Sequence, residues 1–135
     1  MKKIIVVGLM GLMTLTASEA MAQRVTDVGR QRELYRQAMD LYGKQKYAAA
    51  QQIYDEIAQG AKDRADLTTA DANYYAGVCS EKLDNNDACY RLEEFLRLYP
   101  QSSRCNMARF YLGNFHYARG SYEAALAWYK EVDAR

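Results

Sequence analysis

Residues 112–132 read LGNFHYARGSYEAALAWYKEV, and this stretch decides the fold. Apolar residues return every three or four positions on both sides of Gly120 and Ser121, which is the spacing of one face of an amphipathic helix. The pattern predicts two helices, over 104–119 and 122–132. Glycine suits the turn between them because it tolerates backbone conformations that other residues avoid, and the hydroxyls of Ser103 and Ser121 can cap the two helix starts.

The same pattern of two helices and a polar turn occurs twice earlier in the chain. In the second copy, helices are predicted over 70–83 and 87–99, and Pro100 ends the pair. In the first copy, apolar residues at helical spacing mark both helices: Leu34, Ala38, Leu41, Tyr42, Tyr47, Ala50, Ile53, Tyr54 and Ile57. The equivalent alanines at 50, 88 and 125 are separated by 38 and 37 residues. The sequence therefore predicts an all-helical chain of three helix-turn-helix repeats.

The third copy resembles a tetratricopeptide repeat at most of the positions that define this family. Leu112 and Gly113 match the family's Leu-Gly step, where a glycine lets the second helix approach closely. Tyr122, Ala125 and Tyr129 match its aromatic, small, aromatic sequence. The second copy is a looser match, because its turn lacks the aromatic residue. The resemblance implies an all-α fold in which three tandem repeats form a right-handed α-solenoid, over about 31–66, 68–102 and 104–135.

The first 22 residues have the layout of a secretory signal peptide. A positive start at Met1-Lys2-Lys3 precedes the apolar run 4–13, and Ala20-Met21-Ala22 offers the small side chains that signal peptidase requires. A membrane anchor is the alternative, but the apolar run is short for a bilayer span. We predict a signal peptide at 1–22, a flexible leader at 23–29 and a tetratricopeptide-like domain at 30–135. The mature protein is expected in the periplasm or at the outer membrane of a Gram-negative bacterium, without an integral membrane span.

The family resemblance also implies where a partner binds, because the first helices of successive repeats line a concave groove. The groove positions are mostly aromatic or apolar: Tyr35, Met39, Tyr42, Tyr74, Val78, Glu81, Phe110, Asn114 and Tyr117. Such a groove suits an extended or helical peptide with apolar side chains. These positions lack the lysines and arginines with which some family members hold a terminal carboxylate. Coverage of some tyrosines by the protein's own leader is the alternative.

No pattern in the sequence points to catalysis, a metal, a cofactor or nucleic acid. Lys and Arg number 18 against 17 Asp and Glu, so no broad basic field is available for nucleic acid. The single histidine, His116, lies eleven positions after Cys105. Eleven residues are about three helical turns, too far for a catalytic pair. His116 is therefore interpreted as a packed structural residue.

Three cysteines, Cys79, Cys89 and Cys105, occur in a chain expected in an oxidising compartment. They are interpreted as small apolar residues in helix interfaces. A disulfide from Cys89 to either Cys105 or Cys79 is the alternative, since the sequence does not fix their distances.

The last helix is expected to present an apolar face at Ala127, Trp128 and Val132. Either a second copy of the chain covers this face, which predicts a homo-oligomer, or the sequence is the leading part of a longer array.

The predicted function is that of a non-enzymatic scaffold or adaptor that binds a protein or peptide. A role in cell-envelope assembly or organisation is expected, because the segment from residue 95 through the third copy is similar to tetratricopeptide proteins of bacterial envelope assembly. The alternative is an N-terminal module of a longer tetratricopeptide protein that acts as a receptor for a peptide or small ligand.

Overall fold

The computed structural model describes the backbone of residues 2–61 and 66–133 and the side chains of residues 17–61 and 66–133. The side chains of the predicted signal peptide's apolar run, and residues 62–65 and 134–135 of the predicted repeats, lie outside the described residues. The described chain contains six α-helices and no β-strand: α1 (Lys2–Gly43), α2 (Tyr47–Gly60), α3 (Leu67–Lys82), α4 (Ala88–Leu98), α5 (Cys105–Ala118) and α6 (Tyr122–Lys130). The predicted all-helical fold is confirmed. None of the described helices combines the length and apolar character needed to cross a membrane.

The chain divides into two units, Met1–Glu33 and Leu34–Arg135, and the boundary falls within α1. Residues 23–29, predicted to be a flexible leader, are helical in the structure. No proline interrupts the helix there, and the Thr26 hydroxyl donates within the helix to the carbonyls of Ala22 (3.2 Å) and Gln23 (2.8 Å). The flexibility of this leader stays a prediction.

Each of the three first helices, α1, α3 and α5, ends in the same turn. The amides that follow these helices donate to the carbonyl five residues earlier at 2.9 Å in every case: Lys46 to Leu41, Asn85 to Ser80, and Ser121 to His116. The preceding residues are left-handed, with φ of 60° at Gln45, 57° at Asp84 and 74° at Gly120. This is the Schellman motif that commonly ends helices. Its threefold recurrence confirms the repeat at the level of single hydrogen bonds.

The turns also align the three repeats residue by residue. The left-handed residue donates its amide to the carbonyl three positions earlier, and the acceptors are Tyr42, Glu81 and Tyr117. These three residues are therefore structurally equivalent. The predicted serine caps are wrong: α5 starts after Arg104, and neither helix start receives a side-chain cap bond. Instead, the Ser102 hydroxyl accepts the Arg104 amide at 3.1 Å.

Two buried clusters hold the second unit together, and α3 belongs to both. The first joins α1, α2 and α3 through Ala38, Ala50, Tyr54, Ile57, Ala72, Ala76 and Cys79. The second joins α3, α4 and α5 through Tyr74, Val78, Leu92, Phe95, Cys105, Ala108 and Leu112. Because α3 packs against neighbours on two sides, most of its residues between 69 and 80 are buried.

A series of aromatic ring contacts, here called the aromatic ladder, connects α1 to the end of α4. Successive centroid distances are 6.0 Å for Tyr35–Tyr54, 5.3 Å for Tyr54–Tyr75, 5.0 Å for Tyr75–Tyr74, 5.5 Å for Tyr74–Phe95 and 5.6 Å for Phe95–Tyr99. Aromatic pairs at such distances contribute about 0.5–1.5 kcal/mol each beyond burial. The ladder therefore stabilises the contact between the first two helix pairs.

Candidate partner-binding face

The first helices of the three repeats share one face of the second unit, here called the first-helix face. Its members are all at least partly exposed: Tyr35, Tyr42, Asp71, Tyr75, Lys82, Arg104 and Tyr111. On α3 the three members are spaced by four and seven residues, which places them along one line of the helix.

Asp71 is the centre of one half of this face. Its carboxylate accepts a hydrogen bond from the Tyr35 hydroxyl at 3.2 Å and two from the Arg104 guanidinium, both at 3.3 Å. The guanidinium carbon also lies 5.1 Å from the ring centroid of Tyr75, a cation–π distance. A single carboxylate on α3 thus links α1 to the start of α5.

These contacts fix the charges of this half of the face. Burial, followed by the charge of Asp71, raises the pKa of Tyr35 to about 12. The hydrogen bonds that Arg104 donates to Asp71 raise the pKa of Arg104. At neutral pH the tyrosine is therefore a neutral donor and the arginine is charged.

The other half of the face combines two phenols with a cation. Burial raises the pKa of Tyr42, and the neighbouring Tyr111 adds to this shift. The ring of Tyr42 also lies 5.1 Å from that of Tyr75. The Lys82 amino group lies 5.1 Å from the ring centroid of Tyr111. The face is thus built from phenol rings with charges among them, and it is more polar than the predicted groove.

Three predicted groove residues are exposed large side chains. The exposed fractions are 36% for Met39, 40% for Phe110 and 60% for Tyr117. Asn114 is partly buried, and its side-chain oxygen accepts the Tyr129 hydroxyl at 2.8 Å. Tyr35 and Tyr42 lie on the first-helix face as described, and Glu81 is partly buried at the end of α3.

The placement of Tyr74 and Val78 in an open groove is wrong. Both belong to the second buried cluster, with exposed fractions of 4% and 0%. The reason is that this side of α3 faces the following helices, so α4 and α5 cover it. Helical spacing alone cannot distinguish a ridge that faces a partner from one that faces the next repeat.

Five members of the first-helix face were not predicted from the sequence: Asp71, Tyr75, Lys82, Arg104 and Tyr111. Their spacing was the available signal, because positions separated by four or seven residues lie on one side of a helix. The signal was weak because none of them belongs to the family's signature positions.

The exposed residues of the last helix also differ from the predicted ones. Ala127 is exposed and Val132 partly buried, but Trp128 packs against the second buried cluster. Trp128 is therefore partly buried, because α6 lies along α5 with this side chain turned toward the cluster. The large exposed side chains of α6 are Tyr122 at 64% and Leu126 at 53%.

All three cysteines are free thiols, so neither candidate disulfide is formed. The Cys105 thiol donates to the Tyr99 carbonyl at 3.2 Å, and the Cys89 sulfur lies 3.7 Å from Nε2 of His116. Burial, followed by the charge of Glu93, raises the pKa of Cys89 to about 11. The thiol is therefore neutral at physiological pH and is not an activated nucleophile. The Cys89–His116 contact joins α4 to α5, so helical spacing within α5 does not predict it.

Helix pairs in series, with the first helices sharing one exposed face, define a helical-repeat protein of the kind that binds other polypeptides. Residues 82–135 match the family model described as tetratricopeptide repeat. The C-terminal part of the chain, residues 82–135, is therefore a tetratricopeptide-repeat region. Comparison with curated proteins and with solved structures gave no match. Tetratricopeptide repeats are protein-interaction modules and typically non-catalytic, so the chain carries a protein-binding module.

Proposed function

We propose that this protein is an exported adaptor that binds a segment of a partner protein in assembly or organisation of the bacterial cell envelope. Two features of the N-terminal sequence support export. Residues 1–3 supply a positive start before the apolar run 4–13, and Ala20-Met21-Ala22 supplies a cleavage site. We place the adaptor in the periplasm or at the outer membrane of a Gram-negative cell.

One observation carries the binding proposal: large apolar side chains stay exposed at predicted groove positions on two different first helices. Met39 belongs to α1, and Phe110 and Tyr117 belong to α5. Exposed aromatic side chains give much contact area for little conformational entropy, which is why they are enriched where proteins bind partners. The phenols and charges of the first-helix face add hydrogen-bonding groups that fix the register of a bound segment.

Site-specific photocrosslinking in living cells tests the binding proposal. A photoreactive amino acid replaces Tyr117, at a predicted groove position, or Tyr90, on the second helix of the middle pair. The two tyrosines form a matched pair because they are 60% and 68% exposed. We expect one defined adduct from position 117, identified by mass spectrometry, and none from position 90. Equal crosslinking from both positions would contradict a specific binding face.

Fractionation and N-terminal sequencing test export. The mature protein is expected in the envelope fraction, with Gln23 as its first residue. Ala22→Gln should block processing because signal peptidase accepts only small side chains there, whereas Met21→Gln, at the unrestricted middle position, should not. An unprocessed chain in the cytoplasmic fraction would contradict this part of the proposal.

Self-association through the third repeat belongs to the same proposal. It is supported by Tyr122 and Leu126, which are four positions apart on α6 and are both exposed. Light scattering should show a mass above that of one chain for the wild type and a monomer for Leu126→Glu. Leu126 is a better probe than Trp128, because a charge at Trp128 would also disrupt the core. A monomeric wild type would exclude self-association.

A further inference from the structure

The first and third repeats share a side-chain hydrogen bond that joins their two helices. The Tyr54 hydroxyl donates to Sδ of Met39 at 3.1 Å, and the Tyr129 hydroxyl donates to Oδ1 of Asn114 at 2.8 Å. In both repeats the donor lies 15 positions after the acceptor. The same bond therefore occurs twice, with a thioether as the acceptor in one repeat and an amide in the other.

The turn alignment makes these two bonds structurally equivalent. Met39, Val78 and Asn114 lie three positions before the residues that align the three turns. In the middle repeat Val78 faces Leu92, which lies four positions after the equivalent alanine, and both side chains are fully buried in the second cluster. The phenol therefore occurs in the two repeats whose first helix offers it an acceptor.

The acceptor in the first repeat is the weaker of the two, and it is accessible from solvent. A thioether sulfur accepts hydrogen bonds poorly compared with an amide oxygen. Tyr54 has no exposed surface, so its hydroxyl cannot turn to water instead, whereas Met39 is 36% exposed. A buried hydroxyl with a weak partner is stabilised when that partner becomes a stronger acceptor.

Oxidation of Met39 to its sulfoxide creates such an acceptor. A lone pair of Sδ attacks one oxygen of hydrogen peroxide, the O–O bond breaks, and the second oxygen leaves as hydroxide. The proton of the transferred oxygen passes through solvent to this hydroxide, so the sulfur is oxidised by two electrons and the peroxide is reduced to water. The flexible methionine side chain lets the new oxygen turn toward the Tyr54 hydroxyl. The third repeat already holds an oxygen in the equivalent arrangement.

We propose that Met39 is a site of reversible oxidation, at which the Tyr54 hydroxyl holds the sulfoxide oxygen and the modification weakens capture of the partner segment. Peroxide is the oxidant, and methionine sulfoxide reductases reverse the change. The effect on capture rests on the proposed function, because Met39 is one of the exposed apolar side chains that carry it. A sulfoxide is polar, so an apolar side chain of the partner packed against it would deprive it of water.

Met107 is the matched control for this site. It is the other methionine that follows the predicted cleavage site, and it is 44% exposed. Within the part of the chain that the structure describes, its sulfur receives no hydrogen bond. Exposure alone therefore predicts oxidation of both methionines, and an effect of oxidation that depends on Tyr54 belongs to Met39.

Urea titration of the purified full chain before and after hydrogen peroxide treatment tests the hydrogen bond. Peptide mass mapping, after thiol reduction, identifies the oxidised methionines. Oxidation should lower the ratio of folded to unfolded protein about two- to tenfold more in Tyr54→Phe than in the wild type, the range of one hydrogen bond. In a Met39→Leu background, which keeps the size of the side chain, Tyr54→Phe should leave the effect of oxidation unchanged. An equal effect in wild type and Tyr54→Phe, or no sulfoxide at Met39, would overturn the site.

Photocrosslinking from position 117 in living cells tests the effect on the partner. A pulse of hydrogen peroxide should lower the adduct yield several-fold when Met39 is present, and Met39→Leu should preserve the yield. Met107→Leu should lose the adduct as the wild type does. An undiminished adduct despite a sulfoxide at Met39, or protection by Met107→Leu in place of Met39→Leu, would overturn the regulatory role.

The two experiments separate failure of the oxidation site from failure of the binding function. If position 117 gives no adduct even without peroxide, the binding function is refuted and the regulatory role falls with it, while the urea comparison still decides whether Tyr54 holds the sulfoxide of Met39. If the adduct forms and peroxide leaves it unchanged, the binding function stands and the regulatory role is refuted. Loss of the adduct that Met39→Leu prevents supports both.

Discussion

Replacing Gly113 by alanine tests how closely α5 and α6 approach each other. An added β-carbon would lie 2.2 Å from Cε1 of Tyr129, and 2.5 Å and 2.8 Å from two further atoms of the ring. These distances are far inside van der Waals contact, so the ring cannot keep its place. Moving the ring also breaks the 2.8 Å hydrogen bond from its hydroxyl to Asn114.

The expected change in the free energy of unfolding follows from three contributions. Overpacking costs about 1–3 kcal/mol, and the lost hydrogen bond costs about 0.5–1.5 kcal/mol. The higher helix propensity of alanine returns about 0.8–1 kcal/mol. Gly113→Ala should therefore lower the free energy of unfolding by about 0.5–3.7 kcal/mol, measured by urea titration with far-UV circular dichroism.

Two controls make the measurement decisive. Gly60→Ala introduces a β-carbon with nothing within 4 Å, so it should raise stability by up to about 1 kcal/mol. In a Tyr129→Ala background the obstructing ring is absent, and Gly113→Ala should become stabilising. If Gly113→Ala is as stable as the wild type, or if its effect is the same in both backgrounds, the close approach of α6 to Gly113 is refuted.

Three further predictions concern stability. Leu92→Ala removes a fully buried side chain from the second cluster and should cost about 2–5 kcal/mol; an unchanged urea midpoint would contradict the packing. Gly120→Ala puts a β-carbon at a φ of 74° and should cost about 1–2 kcal/mol in the same assay, whereas a neutral result would refute the left-handed turn. Hydrogen bonds from Arg91 and Ser80 hold the pKa of Asp87 below its ordinary value of 3.8. Because the folded pKa is the lower one, this stabilisation is present at neutral pH and is lost as the pH falls through the folded pKa, below about 4. The wild-type urea midpoint should therefore fall more steeply on acidification than that of Asp87→Asn, and parallel curves would exclude the effect.

The sequence predicted the helix pairs well because their apolar periodicity is long and regular. The four helices with predicted bounds begin and end within three residues of those bounds, and the largest shift is a start at Leu67 instead of residue 70. The close approach expected at Gly113 also holds, because the glycine belongs to a recurrent signature and its role is local. Features determined within one repeat were therefore predictable.

The features that the sequence did not predict depend on contacts between repeats, and the periodicity of apolar residues does not encode those contacts. Tyr74 and Val78 looked like groove residues until the position of α5 was known. The Asp71–Arg104 ion pair joins residues 33 positions apart, and neither belongs to a family signature. The Cys89–His116 contact likewise crosses from α4 to α5. A sequence pattern fixes which side of a helix is apolar but not which neighbour lies against it.

The aromatic ladder affects the order in which parts of the molecule unfold. Solenoids whose repeats contact only their neighbours can lose one repeat at a time from an end. Here the ring contacts run unbroken from α1 through α4, so the first two helix pairs are joined into one cooperative block. The ladder does not extend to α6, whose only buried residue among those described is Ala125. Opening fluctuations should therefore begin at α6, and native-state hydrogen exchange should be fastest in this helix while the first two pairs exchange together.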